Sequence, residues 1–385
     1  MQKKIIALAI AGLASTAAFA QSNVTIYGVA DATFDSVKAV NATAGEGNDF
    51  KNRNRVTANS SYIGFKGVED LGNGLKAVFQ FENGLATENG AAGVWNNRDS
   101  FVGIAGGFGT VVAGNLTGPT RAMGARFDVN SGATGIGANT ALLGKLGGGA
   151  GAGAFDQRIN NAVAYVSPTF SGVSAVLAYS TGFTTTGGTA NESMGKVSSN
   201  TQGNTAWTGG LNYEAGPIYV GYAYTAVNAS GNGSLASDGL GLNINKLDDH
   251  RLGAMYKASF GQVGLLWDRA RLNPASGSDL KQNVYYLSGK ANIGNGAVIA
   301  QVGRAGQVKG DNVDNQGATH YELGYEYNLS KRTVLKALYS RINNKDNSNY
   351  DYLYGVSNAN STASTAGMTN GTSVSGISVG LRHAF

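Results

Sequence analysis

Residue types that perform covalent or metal chemistry are scarce in this chain. There is no cysteine, so neither a disulfide framework nor a thiolate metal site can form. The three histidines, His250, His320 and His383, stand in no HExxH or GxSxG context. The sequence therefore predicts no catalytic site, no metal site and no cofactor, and it favours a protein that is not an enzyme.

Charged and amide side chains are instead distributed at alternate positions, as in SSYIGFKGVEDLGNGLKAVFQFE at residues 60–82. One parity of this stretch is apolar and includes Ile63, Phe65, Leu75, Ala77, Phe79 and Phe81. The other parity is polar and includes Tyr62, Lys66, Lys76, Gln80 and Glu82. A period of two is that of a β-strand, and such a hairpin either packs its apolar face on a core or turns it toward lipid.

The N-terminus indicates export from the cytoplasm. Lys3 and Lys4 precede a short apolar run, and an Ala-x-Ala cleavage site ends at Ala20. We therefore predict a signal peptide at 1–20 and a single mature domain at 21–385. Without Lys3 and Lys4 the basic count falls from 29 to 27 against 24 acidic residues, and the resulting net charge of +3 predicts no nucleic-acid partner.

Alternating segments recur along the whole mature sequence. Candidate strands lie near 23–35, 56–67, 75–87, 97–106, 109–117, 158–167, 172–183, 204–214, 217–228, 247–258, 262–273, 280–292, 297–308, 318–329, 332–343 and 374–385. Short turns alternate strictly with long polar connections, and no mature segment approaches the roughly 20 consecutive apolar residues of a spanning helix. An even number of strands whose connections are sorted by length predicts an all-β fold, a transmembrane antiparallel β-barrel of 16 strands.

The long connection after the fifth predicted strand, residues 118–157, differs from the others because glycine and alanine dominate it. Small residues let a loop pack against an inner wall, so we predict that this third loop folds inward and narrows the lumen. An ordinary surface loop and a phosphate-binding loop are the alternatives. Its charged residues are Arg121, Arg126, Asp128, Lys145 and Asp156.

Two strands test the assignment of faces. Segment 317–329 fits well, because tyrosines and a leucine share one parity while His320 and two glutamates share the other. Segment 262–273 fits poorly, because Arg269 and Arg271 share the parity of its apolar residues. Either a bulge shifts the register there, or the arginines stand above the membrane.

Four segments carry a family resemblance. SNVTIYGVADATF, GFKGVEDLGNGLKAVFQFE, RINNAVAYVSP and the terminal GLRHAF, in this order, resemble the general porins of Gram-negative outer membranes, specifically the trimeric beta-proteobacterial branch. The resemblance spans the mature chain and implies an outer-membrane homotrimer in contact with lipid and lipopolysaccharide, through which ions and small hydrophilic solutes diffuse passively. It also implies that Phe385 is the aromatic signal read by the barrel-assembly machinery.

The resemblance further implies a pore constriction, in which an arginine cluster faces the inward loop. Arg98 and Arg158 match two arginines of that cluster, and Glu82 matches an acidic neighbour. The pattern departs at Tyr62, which replaces a third arginine, and at Asn115, which replaces the arginine of a frequent Leu-Gly-Arg. Because fixed charges act over roughly 8 Å at physiological salt, we predict a moderate anion preference, weaker than with the full arginine set. Structural pairing of Arg98 and Arg158 with nearby carboxylates is the alternative.

Other classes of barrel protein predict different features. A barrel enzyme needs a catalytic constellation at one end of the barrel, and a structural or adhesive barrel is often small, with a lumen filled by side chains. A substrate-selective channel, for organic acids or sugars for example, shares the architecture of a general porin and stays open as the alternative function.

Overall fold

Antiparallel strands make up most of the chain in the computed structural model, which describes residues 23–43, 49–86, 88, 97–148, 156–181, 204–228, 244–311, 313–352 and 369–385. The strands are β1 (Asn23–Val40), β2 (Phe50–Thr57), β3 (Tyr62–Gly72), β4 (Leu75–Gly84), β5 (Ser100–Gly106), β6 (Gly109–Thr117), β7 (Arg158–Val166), β8 (Val173–Ser180), β9 (Thr205–Ala215), β10 (Ile218–Asn228), β11 (Ile244–Ala258), β12 (Gly261–Pro274), β13 (Leu280–Ile293), β14 (Gly296–Ala305), β15 (Ala318–Asn328), β16 (Thr333–Asn344) and β17 (Ser373–Ala384). The predicted signal peptide, residues 1–20, lies outside the described residues.

The sheet closes on itself between its first and last strands. β17 pairs with β1 over twelve positions, from Val29 opposite Ala384 to Val40 opposite Ser373. Beyond that ladder, the Phe385 N–H donates to the Gly28 carbonyl at 3.0 Å, and the Gly28 N–H donates to the Phe385 carbonyl at 3.1 Å. The prediction of an all-β closed barrel is therefore confirmed.

β2 and β3 are two halves of one barrel strand, so the seventeen segments occupy sixteen positions. Both halves pair with β1: Val29 lies opposite Tyr62, and Thr33 lies opposite Thr57. Between these two pairs, β1 advances by four residues while the broken strand advances by five. The one extra residue is that of a β-bulge. The bulge changes which parity faces inward, and sequence periodicity alone did not predict it.

Side chains in the bulge replace the interrupted ladder. The Asp31 N–H donates to the Ser61 hydroxyl oxygen at 2.8 Å, and that hydroxyl lies 3.0 Å from the Asp31 carbonyl oxygen. The Asn59 amide donates to the carboxylate of Asp31 and to the hydroxyl of Thr33. The Asp31 N–H, which has no strand partner here, thus gains a side-chain acceptor, as burial requires.

The two faces of the strands follow the predicted alternation. On β15, Tyr321 and Leu323 are exposed on the outer face, whereas His320 and Glu322 are buried inside. β12 stays in continuous register with β11 and β13 from Gly261 onward, so the explanation by a bulge in 262–273 is wrong. Arg269 and Arg271 lie on the outer face, where the alternation places them.

The inward fold of the third loop is also confirmed. It contains an α-helix, α1 (Pro119–Phe127), and a 3₁₀ turn, Asn139–Ala141. Within the described ranges, neither of these helices nor any other has the length and apolar character required to cross a membrane. Helix α1 contacts the inner faces of β9, β10, β11 and β12, and Phe127 at its end is fully buried.

Glycines on the barrel wall make room for this helix. A Cβ atom at Gly264 would lie 2.9 Å from Cδ1 of Phe127. Gly253 faces the same ring, and Gly221 faces Met123. The barrel strands thus carry glycine at the positions where the loop packs closely against their backbone.

Gly264→Ala should therefore displace Phe127 and loosen helix α1, at a cost of about 1–3 kcal/mol for overpacking. We expect a lower thermal unfolding midpoint and a larger or noisier single-channel conductance in planar bilayers. Gly107→Ala is the matched control, because a Cβ there meets nothing within 4 Å. Equal behaviour of the two variants would contradict the packing role of the glycine.

Candidate functional site

A cluster of charged and aromatic residues lines the inner wall from β3 to β7. We call this cluster the arginine wall, and it contains Tyr62, Glu82, Arg98, Asn115 and Arg158. Arg98 lies 4.5 Å from the centroid of the Tyr62 ring, and its Nε is 3.3 Å from Oε2 of Glu82. Glu82 also accepts a hydrogen bond from the Tyr27 hydroxyl at 2.8 Å. The Asn115 amide donates to the Arg98 carbonyl at 2.9 Å and ties β6 to the same cluster.

Arg158 completes the arginine wall through a residue that the sequence analysis missed. Its Nε lies 3.2 Å from Oδ1 of Asp99, the residue that follows Arg98. The hydroxyl of Thr117 donates to the same carboxylate at 2.7 Å. Five predicted residues therefore meet on one wall, and both arginines pair with carboxylates. Asp99 could have been found as the acidic neighbour of Arg98, but its partner depends on the pairing of β6 with β7.

A second missed residue, Arg251 on β11, holds both ends of the inward loop. Its side chain is fully buried, and Nη1 donates to the Thr120 carbonyl and to Oδ1 of Asp156, both at 2.7 Å. Nη2 lies 3.2 Å from Oδ2 of Asp268 and 3.6 Å from Oδ2 of Asp249. Arg251 lies within a run of charged residues, and periodicity predicts that it points inward without predicting what it meets there.

The middle of the loop binds the opposite wall through side-chain hydrogen bonds. Asp128 organises the loop internally, since its carboxylate accepts from the N–H groups of Asn130 and Asn139 at 2.8 and 2.7 Å. The Asn130 amide then donates to Glu322 at 3.0 Å, and the Ser131 N–H donates to Glu326 at 2.7 Å. The loop is thereby fixed to β15, across the lumen from its origin on β6.

The remaining loop cations occupy three separate places. Arg121 donates to the Asp156 carbonyl and thus joins the start of the loop to its end. Arg126 lies 3.6 Å from the centroid of the Tyr219 ring, and its Nη2 is 2.6 Å from Oε2 of Glu214, near the short turn after β9. Lys145 donates to the Asp351 carbonyl at 2.8 Å.

Lys145 also has a shifted pKa. Part of its side chain reaches solvent, but burial of the ammonium group lowers its pKa to about 8, against a smaller upward effect of Asp351 and Asp156. The group therefore carries its charge at neutral pH and loses it under mildly alkaline conditions.

In three ion pairs of the inner wall the cation is clearly more exposed than the carboxylate. The side chain of Arg98 is 19% exposed against 8% for Glu82, Arg382 is 16% against 0% for Asp31, and Lys290 is 23% against 3% for Glu326. Arg158 and Asp99 are nearly equal, and the order is reversed for Arg126 with Glu214 and for the buried Arg251 with Asp156. Most of these carboxylates are sequestered in the wall, so the surface that water meets is more positive than the count of charges suggests.

The described residues contain no group of three or more His, Asp or Glu side chains arranged to hold a metal ion. His320 is buried between the Tyr286 hydroxyl and the Ser340 hydroxyl, each 2.9 Å from a ring nitrogen. His383 contacts the Thr333 hydroxyl at 2.9 Å. Their contacts within the sheet account for both rings.

A sixteen-position barrel with an apolar outer face, a charged inner face and a loop fixed across its lumen defines a transmembrane channel. Comparison with known proteins places it more narrowly: residues 7–347 match the family model of the Gram-negative porins, and the chain belongs to that family. It is an outer-membrane channel protein, as the resemblance implied.

Individual relatives agree with this assignment. Outer membrane porin protein 32 of Delftia acidovorans is 34% identical over 391 positions that cover both chains fully. Major outer membrane protein P.IB of Neisseria lactamica is 32% identical over 86% of this chain and 91% of its own. Among solved structures, an anion-selective porin from Comamonas acidovorans matches with a TM-score of 0.70 and 27% identity, over 95% of this chain and all of that one.

Arg251→Met should release the ends of the loop, because it leaves Asp156, Asp249 and Asp268 buried without their cation. Loss of one partner of a buried ion pair costs about 3–5 kcal/mol. We expect trypsin to cleave at Arg121, Arg126 or Lys145 in the folded variant but not in the wild type.

Arg304→Met is the control, since Arg304 is exposed on the outer face. Adding Asp268→Asn to Arg251→Met should partly restore resistance to trypsin, because it removes one of the unpaired charges. Resistance of the single variant, with the barrel intact, would show that the loop does not depend on Arg251.

Proposed function

We propose that the channel passes ions and small hydrophilic solutes by passive diffusion and prefers anions moderately. The observation that carries the proposal is the exposure of cations over buried carboxylates on the inner wall. Within the constriction loop, Arg121, Arg126 and Lys145 outnumber Asp128 and Asp156 by one charge. A surface with exposed cations raises the local concentration of anions inside a narrow pore.

The arginine wall is the proposed selectivity element, and the inward loop is the proposed constriction. Pairing with Glu82 and Asp99 does not remove the effect of Arg98 and Arg158, because a paired guanidinium still presents free N–H donors to a passing anion. The pairing does reduce the net charge, which supports a moderate preference rather than a strong one. The anion-selective structural relative lends support to the same direction of selectivity.

Replacing both Arg98 and Arg158 by glutamine should lower the ratio of chloride to potassium permeability about fivefold. A unit charge roughly 8 Å from a permeating ion contributes about 0.5 kcal/mol in water, and two charges are removed. The measurement is the reversal potential in planar bilayers under a potassium chloride gradient. Arg304→Gln, on the outer face, should leave the ratio unchanged, and cation preference of the wild type would refute the proposal.

Tyr62→Arg should act in the opposite direction. Tyr62 faces the lumen beside Arg98 and Glu82, so an arginine there adds a charge to the arginine wall. We expect the permeability ratio to rise about twofold by the same Coulomb reasoning. An unchanged ratio, at normal conductance, would mean that ions do not pass close to this position.

The preference for anions should also decline as the pH is raised from 7 to about 9.5. Lys145 is positively charged below its pKa of about 8 and neutral above it, so the loop loses a cation over this interval. Lys145→Met should have a lower permeability ratio at pH 7 and a flatter pH profile. An identical slope in wild type and variant would assign the titration to another group.

A substrate-selective channel is the second candidate, and solute transport itself distinguishes the two. In liposome-swelling assays a general porin should admit sugars, amino acids and organic acids in order of size. Saturation with one class of solute would instead identify a selective channel.

We further infer that the protein is a homotrimer, that its outer face contacts outer-membrane lipid and lipopolysaccharide, and that the assembly machinery reads Phe385. The resemblance to trimeric porins supports these partners. Phe385 is also 47% exposed at the end of β17, as a recognition signal requires. Native mass spectrometry of the detergent-extracted protein would test the oligomeric state.

A further inference from the structure

The outer face of β10 to β13 carries a pocket that has no part in the channel. Its volume is about 310 Å³, and we call it the rim pocket. It is lined by Tyr224, His250, Trp267, Arg269, Arg271 and Lys281, together with Asp248. These residues face away from the lumen, because strand side chains alternate and their neighbours in sequence, Asp249, Arg251 and Asp268, form the buried cluster on the lumen side.

The pocket lies directly above the apolar part of the barrel surface. Successive outward positions on β12 are Leu265, Trp267, Arg269 and Arg271, spaced by roughly 6.6 Å for each pair of residues. Leu265 is 62% exposed and belongs to the face that turns toward lipid. Along four successive outward positions, the side chains thus change from a leucine that faces hydrocarbon to a tryptophan of the aromatic girdle and then to two arginines. This order places the pocket at the height of the lipid headgroups.

The same order appears on both neighbouring strands. On β13, Leu287 and Tyr285 lie opposite Leu265 and Trp267, and Lys281 lies opposite Arg271. On β11, Leu252 lies opposite Trp267 and His250 lies opposite Arg269. The transition from apolar to basic is thus a property of three adjacent strands.

The charges of the rim pocket leave a positive excess. Two carboxylates are present: Nη2 of Arg271 lies 2.8 Å from Oδ2 of Asp248, and Nζ of Lys281 lies 3.3 Å from Oδ2 of Asp279. Hydrogen bonding from Asn273 and the nearby cations keep the pKa of Asp279 low, so it stays ionised.

Four cations stand against these two anions: Lys246, Arg269, Arg271 and Lys281. Lys246 lies 3.6 Å from Asp248, while Arg269 is exposed and has no carboxylate within ion-pair distance among the described residues. The net charge is +2 with His250 neutral.

The aromatic part of the pocket is already held in place. The Tyr222 hydroxyl lies 2.7 Å from Nδ1 of His250, and the Trp267 indole donates to the Asn283 side chain at 3.2 Å. The Tyr224 and His250 rings lie 4.7 Å apart, centroid to centroid. These aromatic side chains therefore lose little further conformational freedom on binding, which favours affinity.

We propose, on the basis of the contact with lipopolysaccharide inferred above, that the rim pocket is a defined site that binds the phosphate of a phosphorylated glycolipid in the outer leaflet of the outer membrane. Arginine and lysine groups supply the charge-assisted donors that phosphate oxygens accept. The exposed leucines below the girdle lie where the acyl chains of the same molecule would pack. A soluble anion would use the basic groups but not this apolar surface, so the pairing of the two favours a lipid.

The test uses the purified full-length protein in non-ionic detergent, with bisphosphorylated lipid A as the probe and native mass spectrometry as the readout. Wild type should retain lipid A, and Arg269→Gln combined with Lys281→Gln should weaken its apparent affinity at least tenfold. Lys331→Gln combined with Arg332→Gln removes the same charge from the turn at the opposite end of the barrel and should change the affinity less than twofold. Heat-modifiable mobility on gels verifies that each variant is folded.

Two further probes identify the source of the phosphate. Lipid A from which both phosphates have been removed should bind at least tenfold more weakly, and inorganic phosphate at millimolar concentration should not displace the intact lipid. Equal loss of binding in the two double variants would overturn the site, as would retention of the dephosphorylated lipid. Displacement by inorganic phosphate would show an anion site without a lipid. Reversal potentials should be unchanged in Arg269→Gln with Lys281→Gln, so this test and that of the channel's selectivity fail independently.

Discussion

The requirement that no strand edge remain unpaired in lipid governs the whole structure. Each N–H and C=O group left without a partner in the hydrocarbon region costs several kcal/mol, so the sheet must close. β1 meets this requirement with β17 on one edge and with the two halves of a broken strand on the other. Where the break removes a partner strand, the Ser61 hydroxyl accepts the hydrogen bond of the Asp31 N–H. Closure therefore tolerates a bulge but not an orphaned backbone group.

Closure also creates the problem that the inward loop solves. A barrel of this size encloses a wide lumen, and the loop that enters it must be held against the inner wall. Its side chains Phe127, Ile136 and Leu142 are buried in a hydrophobic cluster with residues of that wall. Two further features hold the loop: glycines on β10, β11 and β12 admit its helix, and buried ionic contacts around Arg251 fix its ends. The first feature determines where the helix can lie, and the second makes displacement costly. The pore wall and the loop can then keep a constant distance, which a charge-based filter requires.

The sequence predicted the features that follow a period. Alternation along the strands, the sorting of turns by length and the glycine-rich character of residues 118–157 were enough for the barrel, its sixteen positions and the inward loop. The residues quoted for the family resemblance, Arg98, Arg158, Glu82, Tyr62 and Asn115, do meet on one wall. Their contribution to selectivity stays a prediction.

What periodicity could not supply was contact between distant segments. Arg251 meets residues 95 and 131 positions away, and nothing in its local sequence identifies the loop as its partner. Asp99 was missed because its partner depends on strand pairing, and the bulge at residues 58–61 was missed because its signals are side chains that bond to β1. The arginines of β12 contradicted the alternation only under the assumption that the whole strand lies in hydrocarbon. The headgroup position that we infer for them removes the contradiction.

The unequal exposure of paired charges in the lumen has a consequence for the range of the field. A cation above its own carboxylate is a dipole normal to the wall, and the potential of a dipole falls with the square of distance rather than with distance itself. Screening by salt shortens that range further. Such a lining distinguishes anions from cations only among ions that travel close to it and leaves the centre of a wide pore nearly neutral. The narrow lumen imposed by the loop and the polar wall therefore act together. In a wide pore, most ions would pass too far from the wall for its charges to distinguish them.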